Sequence, residues 1–174
     1  MVLETERLIF REMVPEDFGA LYRVLADSDI MRHYPYTFDE ARVKNWIACN
    51  RERCETLGFG LWAMVRRDTG EMIGDCGLTM QRIHGVIRPE IGYHVRRDCQ
   101  RQGYAKEAAR ACRDWAFEHT PFGRVYSYMR KANVASSATA RACGMRFAEE
   151  YSDDEGEVTA VYVISRAEWE KRPV

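Results

Sequence analysis

The sequence predicts an α+β fold: one domain over residues 1–174 in which helices pack on both faces of a mixed, mostly antiparallel central sheet. Three observations lead there. The apolar period is helical over residues 15–57, becomes two over 59–95, and turns helical again near 103–119. The central stretch runs strand–helix–strand, which favours a parallel pair joined by a right-handed crossover. The remaining strands are separated by short turn sequences, which favours antiparallel hairpins.

Leu8 to Met13 reads as a short strand. Pro15 opens a helix whose Phe18, Leu21, Tyr22 and Leu25 recur at helical spacing. A turn over Asp29 to Tyr34 ends at Pro35. Asp39 to Leu57 forms a long helix with Val43, Trp46, Ile47, Asn50 and Cys54 along one side, and Gly58 stops it. Phe59, Leu61, Ala63 and Val65 then alternate with Gly60, Trp62 and Met64. Arg67-Asp68-Thr69-Gly70 is turn chemistry, and Met72 to Arg82 makes the next strand. From Pro89 to Val95, Ile91, Tyr93 and Val95 share one face, and Glu90, Gly92 and His94 the other. A basic loop leads into a helix from Gly103 to His119. Val125 to Met129 is a strand, and Val134 to Cys143 a helix stopped by Gly144. Arg146 to Tyr151 and Val158 to Ser165 form a last hairpin around Asp153-Asp154-Glu155-Gly156.

The 174 residues carry a net charge of −1, so no global field recruits nucleic acid or an anionic membrane. No apolar run approaches the roughly 20 residues of a membrane helix, and the first seven residues do not resemble a signal peptide. The six cysteines contain no C-x-x-C pair and no zinc-type spacing with histidine. They read as free, largely buried thiols of a cytoplasmic protein, and no metal is expected.

The chemistry concentrates in residues 90–108. Strand, basic loop and helix start follow one another, and free amides at a helix N-terminus bind anions. Gly103 and Ala105 are small enough for a diphosphate to approach the backbone. Arg96, Arg97, Arg101 and Lys106 add positive charge. Neither G-x-x-x-x-G-K-S/T nor G-x-G-x-x-G is present, so the physics names a phosphate-bearing ligand without saying which one.

Gln100-Arg101-Gln102-Gly103-Tyr104-Ala105 resembles the Q/R-x-x-G-x-G/A signature of the GNAT superfamily of N-acetyltransferases, whose amides hold the pyrophosphate of coenzyme A. Asn133-Val134-Ala135-Ser136 and Cys143-Gly144-Met145 resemble the N-x-x-S and G-F blocks of its ribosomal-protein N-terminal (RimJ/RimL-like) subfamily, with Met145 in place of Phe. Glu4-Thr5-Glu6-Arg7-Leu8 with Arg11 looks like the opening strand of that subfamily, and Ser165 to Trp169 like its last strand end.

The resemblance implies acetyl-CoA as co-substrate and direct transfer of the acetyl group to a primary amine in a ternary complex. It implies a splayed parallel strand pair that admits the pantetheine arm. His94 and Val95 then supply backbone groups, with the Val95 amide as oxyanion donor. Gln100, Arg101, Gln102, Gly103, Tyr104, Ala105 and Lys106 bind the diphosphate, and Asn133 and Ser136 the pantetheine. Glu90 becomes the candidate base through a water, and His94 a candidate to share that role. Ser136 becomes the candidate acid for the thiolate. Each has a plainer reading: Glu90 as a paired strand carboxylate, His94 as a structural imidazole, and Asn133 with Ser136 as a helix cap. Tyr126 and Tyr128 are remote candidates for the acid. A covalent route through Cys99 or Cys143 is disfavoured, because neither has a neighbouring His in sequence.

The acceptor wall is expected from residues 31–46 and 152–158. There His33, Tyr34, Tyr36 and Phe38 suit an aromatic cleft, and Asp153, Asp154, Glu155 and Glu157 an acidic patch. The partner is an amine-bearing small molecule or a protein N-terminus, and a homodimer stays open. The competing class is a non-catalytic acetyl-CoA sensor on the same fold.

Overall fold

In a computed structural model, which describes residues 1–153 and 155–171, eight strands form one sheet in the order β1-β2-β3-β4-β5-β6-β8-β7. The strands are β1 (Leu3–Glu4), β2 (Leu8–Arg11), β3 (Leu61–Arg66), β4 (Met72–Ile83), β5 (Val86–Val95), β6 (Arg124–Arg130), β7 (Arg146–Ser152) and β8 (Val158–Ser165). The helices are α1 (Phe18–Leu25), α2 (Glu40–Leu57), α3 (Tyr104–His119), α4 (Val134–Ala142) and α5 (Arg166–Glu170). All neighbouring strands are antiparallel except β5 and β6, which flank the α3 crossover.

Alternation along β3 splits the apolar residues between two cores. Leu61, Ala63 and Val65 pack with Leu21, Leu25, Val43 and Ile47 of α1 and α2. Trp62 and Met64 point to the other face and pack with Ala108, Cys112 and Ala116 of α3. Each such fully buried large side chain contributes about 1.5–3 kcal/mol. The Asp39 side chain accepts from the Arg42 amide and starts α2, and Gly58 at φ 79° ends it, as the sequence predicts. All six cysteines are free; Cys76, Cys99, Cys112 and Cys143 are buried, whereas Cys49 and Cys54 are partly exposed. Among the described residues, no helix is long and apolar enough to cross a membrane.

Four local expectations change. The strand expected over Leu8 to Met13, β2, ends at Arg11, whose guanidinium turns to the buried Asp17 at 2.6 and 2.7 Å. The sequence places a loop between Arg82 and Pro89, but β4 and β5 form a continuous hairpin, closed by His84 (φ 49°) and Gly85 (φ 76°). Pro89 is tolerated within β5. Its nitrogen faces the β6 side, where pairing begins only at Glu90, so no ladder bond is lost. Ser165 and Glu168 form a capping box that starts α5, where a strand end is expected. The acidic hairpin is a folded turn: the Asp153 carboxylate accepts from Arg130 and from the amides of Glu155 and Glu157. Asp154 lies outside the described residues.

Candidate active site

Strands β5 and β6 meet at one register pair, Glu90 with Tyr126, and the Ser127 hydroxyl donates to the Ile91 carbonyl just beyond it. Past that point β5 runs on to Val95 and β6 to Arg130 without pairing, which leaves a gap between them. Backbone polarity in the gap follows from the antiparallel ladder to β4. The Arg96 amide donates to Ile73, and the His94 carbonyl lies against Gly74. Peptide groups alternate sides along a strand, so those of Tyr93 and Val95 face the gap. The Val95 amide therefore faces the gap. The His94 backbone, expected to offer groups to the pantetheine arm, faces β4 instead.

The loop after β5 is held open from several sides. The Gln100 amide group donates to the Val95 carbonyl at 2.9 Å, and the Gln102 side chain to the Asp98 carbonyl at 2.7 Å. Arg101 (φ 60°) and Gly103 (φ 87°) take left-handed conformations. The first helical bond runs from the Glu107 amide to the Gly103 carbonyl, so the amides of Tyr104, Ala105 and Lys106 lie free of the helical ladder. Glu107 in that first turn binds Thr5 at 2.6 Å and Arg7 at 2.6 Å, and Arg7 also donates to the Gln102 carbonyl and covers the Tyr104 ring. These contacts hold the Glu107 carboxyl below its usual range, although burial pushes the other way. The Tyr104 side chain is buried against the core, so this residue offers a ligand its amide.

Two of the four cations expected here are engaged elsewhere. Arg96 pairs with Asp98 at 2.6 Å, and Arg97 with Asp27 and Asp29 at 2.5 and 2.6 Å. Arg101 and Lys106 make no ion pair among the described residues.

The two faces of the gap differ in chemistry. On the α3 side, Asn133 caps α4 by accepting from the Ser136 amide at 3.1 Å. The Tyr93 hydroxyl lies 3.0 Å from Ser136 Oγ and donates to its carbonyl. The sequence does not single out Tyr93, because 43 positions separate it from Ser136.

On the α1–α2 side lie Glu90 and His94. The Glu90 carboxylate leans over Gly92, where a Cβ would sit 3.1 Å from Oε2, and accepts from the Thr79 hydroxyl at 3.0 Å. Burial pushes its pKa up to about 7, against the opposing pull of Thr79, His94 and Arg53. His94 Nδ1 lies 2.7 Å from Asp75, and His94 Nε2 lies 2.6 Å from the Tyr34 hydroxyl. Burial lowers the basicity of His94, but the charge and hydrogen bond of Asp75, with Glu90, raise it on balance. Asp75 also accepts from the Trp46 indole at 2.8 Å. The only sequence signal for Asp75 is an acid inside the small, apolar run Gly74-Asp75-Cys76-Gly77.

Tyr34, Tyr36, Phe38, Trp46 and His94 form a ring cluster of edge-to-face and tilted pairs at centroid spacings of 5.4–6.3 Å. A cavity of about 240 Å³ lies beside it, lined by Met31, Tyr34, Tyr36 and Phe38 among others. His33 faces Arg32 and does not line this cavity; burial and Arg32 lower its basicity.

A parted parallel strand pair, an amide-rich helix start and a buried carboxylate of near-neutral pKa define a class of acyl-transfer enzyme. Residues 7–146 match the family model described as Acetyltransferase (GNAT) domain. The chain belongs to the GNAT acetyltransferase family and is an N-acetyltransferase. The uncharacterised protein YkkB of Bacillus subtilis is 34% identical over 148 residues, 84% of this chain and 86% of that one. The FsC-acetyl coenzyme A-N(2)-transacetylase of Aspergillus fumigatus is 33% identical over 153 residues, 78% of this chain and 62% of that one. A solved structure of RimL, a ribosomal L7/L12 alpha-N-protein acetyltransferase in complex with coenzyme A, shares the fold. Its TM-score is 0.77 over 94% of this chain and 97% of that one, at 18% identity.

Proposed function

We propose that the protein carries the acetyl group of acetyl-CoA directly to a primary amine within a ternary complex, in the cytoplasm. The observation that carries this reading is the gap after Glu90, with the amide-rich loop at one end and Glu90 beside it. The amides of residues 103–106, with Arg101 and Lys106, hold the diphosphate. The pantetheine arm occupies the gap against the Tyr93 and Val95 peptide groups and near Asn133. The Val95 amide donates to the carbonyl oxygen as charge develops there. Glu90, with a pKa of about 7, takes a proton from the amine through a water. Ser136, paired with Tyr93, returns a proton to the thiolate.

The acceptor is an amine that suits the aromatic cluster around Tyr34. A protein N-terminal α-amine is favoured by the likeness of the Asn133 and Ser136 block to the ribosomal-protein subfamily. Its pKa of about 8 also leaves a usable neutral fraction near pH 7.

Calorimetric titration with acetyl-CoA, with ATP and NADH as controls, tests the central claim. Roughly micromolar binding of acetyl-CoA alone is expected. No binding of acetyl-CoA overturns the assignment of loop and gap. In the same assay Arg7→Ala is expected to weaken acetyl-CoA about tenfold, because the loop loses its tie to β2 and must be ordered on binding. Unchanged affinity in that variant would show the loop to be held without Arg7.

A further inference from the structure

Acetylation of an ammonium removes two protons from one nitrogen. The first departs to expose the lone pair, and the second after the C–N bond has formed. One proton is returned to the leaving thiolate, and the other ends in solvent. Glu90 can hold only one of them at a time, and it is already protonated when the second is released.

A second acceptor lies on the same face of the sheet. Asp75, His94 and Tyr34 form an unbroken line of hydrogen bonds, 2.7 Å from Asp75 to His94 Nδ1 and 2.6 Å from His94 Nε2 to the Tyr34 hydroxyl. Asp75 is fully buried and His94 is 8% exposed, and the Tyr34 hydroxyl meets His94 beneath a ring that borders the cavity and leaves the residue 38% exposed. In the neutral imidazole the carboxylate holds the proton on Nδ1, which donates to Asp75, and leaves Nε2 to accept from the Tyr34 hydroxyl. The Tyr34 oxygen then accepts no hydrogen bond among the described residues. The order of groups is that of a hydroxyl–imidazole–carboxylate triad, with the phenol relaying a proton rather than attacking.

We propose that Tyr34, His94 and Asp75 form a second base for acetyl transfer, in which Tyr34 takes the second proton of the acceptor amine and passes its own to His94. The N–H bond of the acetylated nitrogen breaks as an O–H bond forms on Tyr34. The former Tyr34 O–H bond breaks as N–H forms at His94 Nε2, and Asp75 holds the resulting imidazolium. The imidazolium releases its proton to solvent before the next turnover. Oxidation states do not change.

The surroundings of the relay suit this role. The Tyr34 hydroxyl feels burial first, then Glu90 from β5, Asp75 from β4, Tyr128 from β6 and Tyr36 from its own segment, and all of these raise its pKa. A phenolate is therefore disfavoured, so Tyr34 gives up its own proton to His94 only as it gains one from the amine. His94 is its only hydrogen-bond partner among the described residues. On the far side, Trp46 of α2 satisfies the second oxygen of Asp75.

This inference rests on the acetyl-transfer reading, and the test separates the two. Tyr34→Phe keeps the ring and removes only the hydroxyl. Steady-state rates of thiol release would be measured from pH 5.5 to 9 with spermidine, phenethylamine and a short unblocked peptide, alongside acetyl-CoA affinity. Tyr34→Phe is expected to lose about 10- to 100-fold in kcat with acetyl-CoA affinity unchanged. The wild-type profile is expected to show two ionisations on its acid side, and the variant one. Asp75→Asn is expected to shift His94 to a lower pKa when the imidazole is followed by NMR, and to lose kcat similarly. A Tyr34→Phe enzyme with wild-type kcat and pH profile overturns the relay and leaves acetyl transfer standing, even if its thermal stability falls. A wild type that binds acetyl-CoA but acetylates none of the amines overturns the acetyl-transfer reading, and the role of the relay with it.

Discussion

Glu90→Gln is expected to lose about 10²- to 10³-fold in kcat while becoming more stable at alkaline pH. The two effects have one cause. The carboxyl is buried, and its pKa rises from 4.5 in the unfolded chain to about 7 in the fold. The folded state therefore holds a proton that the unfolded state has lost between those values. The stability contributed by this protonated form is fully present below pH 4.5 and is lost as pH rises through about 7. Above that, the fold bears a buried charge, at a cost on the order of 3 kcal/mol at most. Glutamine keeps the shape and a partner for Thr79 without the charge. Thermal melts at pH 8 should place the variant several degrees above wild type, and melts at pH 5 should coincide. A variant that melts below wild type at pH 8 would show that the Glu90 carboxylate is a net stabilising partner. Wild-type kcat across the pH range would remove it as the base.

Gly74→Ala is expected to be the most damaging small substitution in the sheet. A Cβ there would lie 1.9 Å from the His94 carbonyl oxygen and 3.0 Å from its carbon, at a φ of 158° that disfavours side chains. Both obstacles are backbone, so β4 and β5 must move apart where Gly74 faces Val95. A loss of about 3–5 kcal/mol follows, and a melting temperature lower by roughly 10 °C. Catalysis should fall further than stability alone requires, because the shift displaces His94 from Asp75. Gly19→Ala in α1 is the control. Nothing lies within 4 Å of its Cβ position, and a gain of about 0.5–1 kcal/mol is expected there. Equal melting temperatures for wild type and Gly74→Ala would show that the two strands part at no cost.

Much of this site could be read along the chain, because its parts follow one another. Glu90, Gly92 and His94 share a face by strand alternation, Val95 ends the strand, and Gly103 starts the helix. All are separated by a few residues and governed by local geometry. The parts that escaped are made by distant segments. Asp75 gains its meaning from the hairpin that sets it opposite His94. Tyr93 gains its meaning from α4, which brings Ser136 to it. The charges of Arg96 and Arg97 look available in sequence, but Asp98 and the distant Asp27 claim them. Pro89 is ambiguous in sequence for a related reason: it signals a break unless pairing to the neighbouring strand is known to begin only at Glu90.

The tie between Thr5, Arg7 and the first turn of α3 spans about a hundred positions of sequence, from Thr5 and Arg7 to Gln102 and Glu107. During synthesis the opening strand leaves the ribosome long before its partner exists. Closing so long a loop is slow compared with forming either segment. On the proposed reading the loop before α3 gains its tie to the opening segment late, and coenzyme affinity would double as a gauge of whether the chain has finished folding.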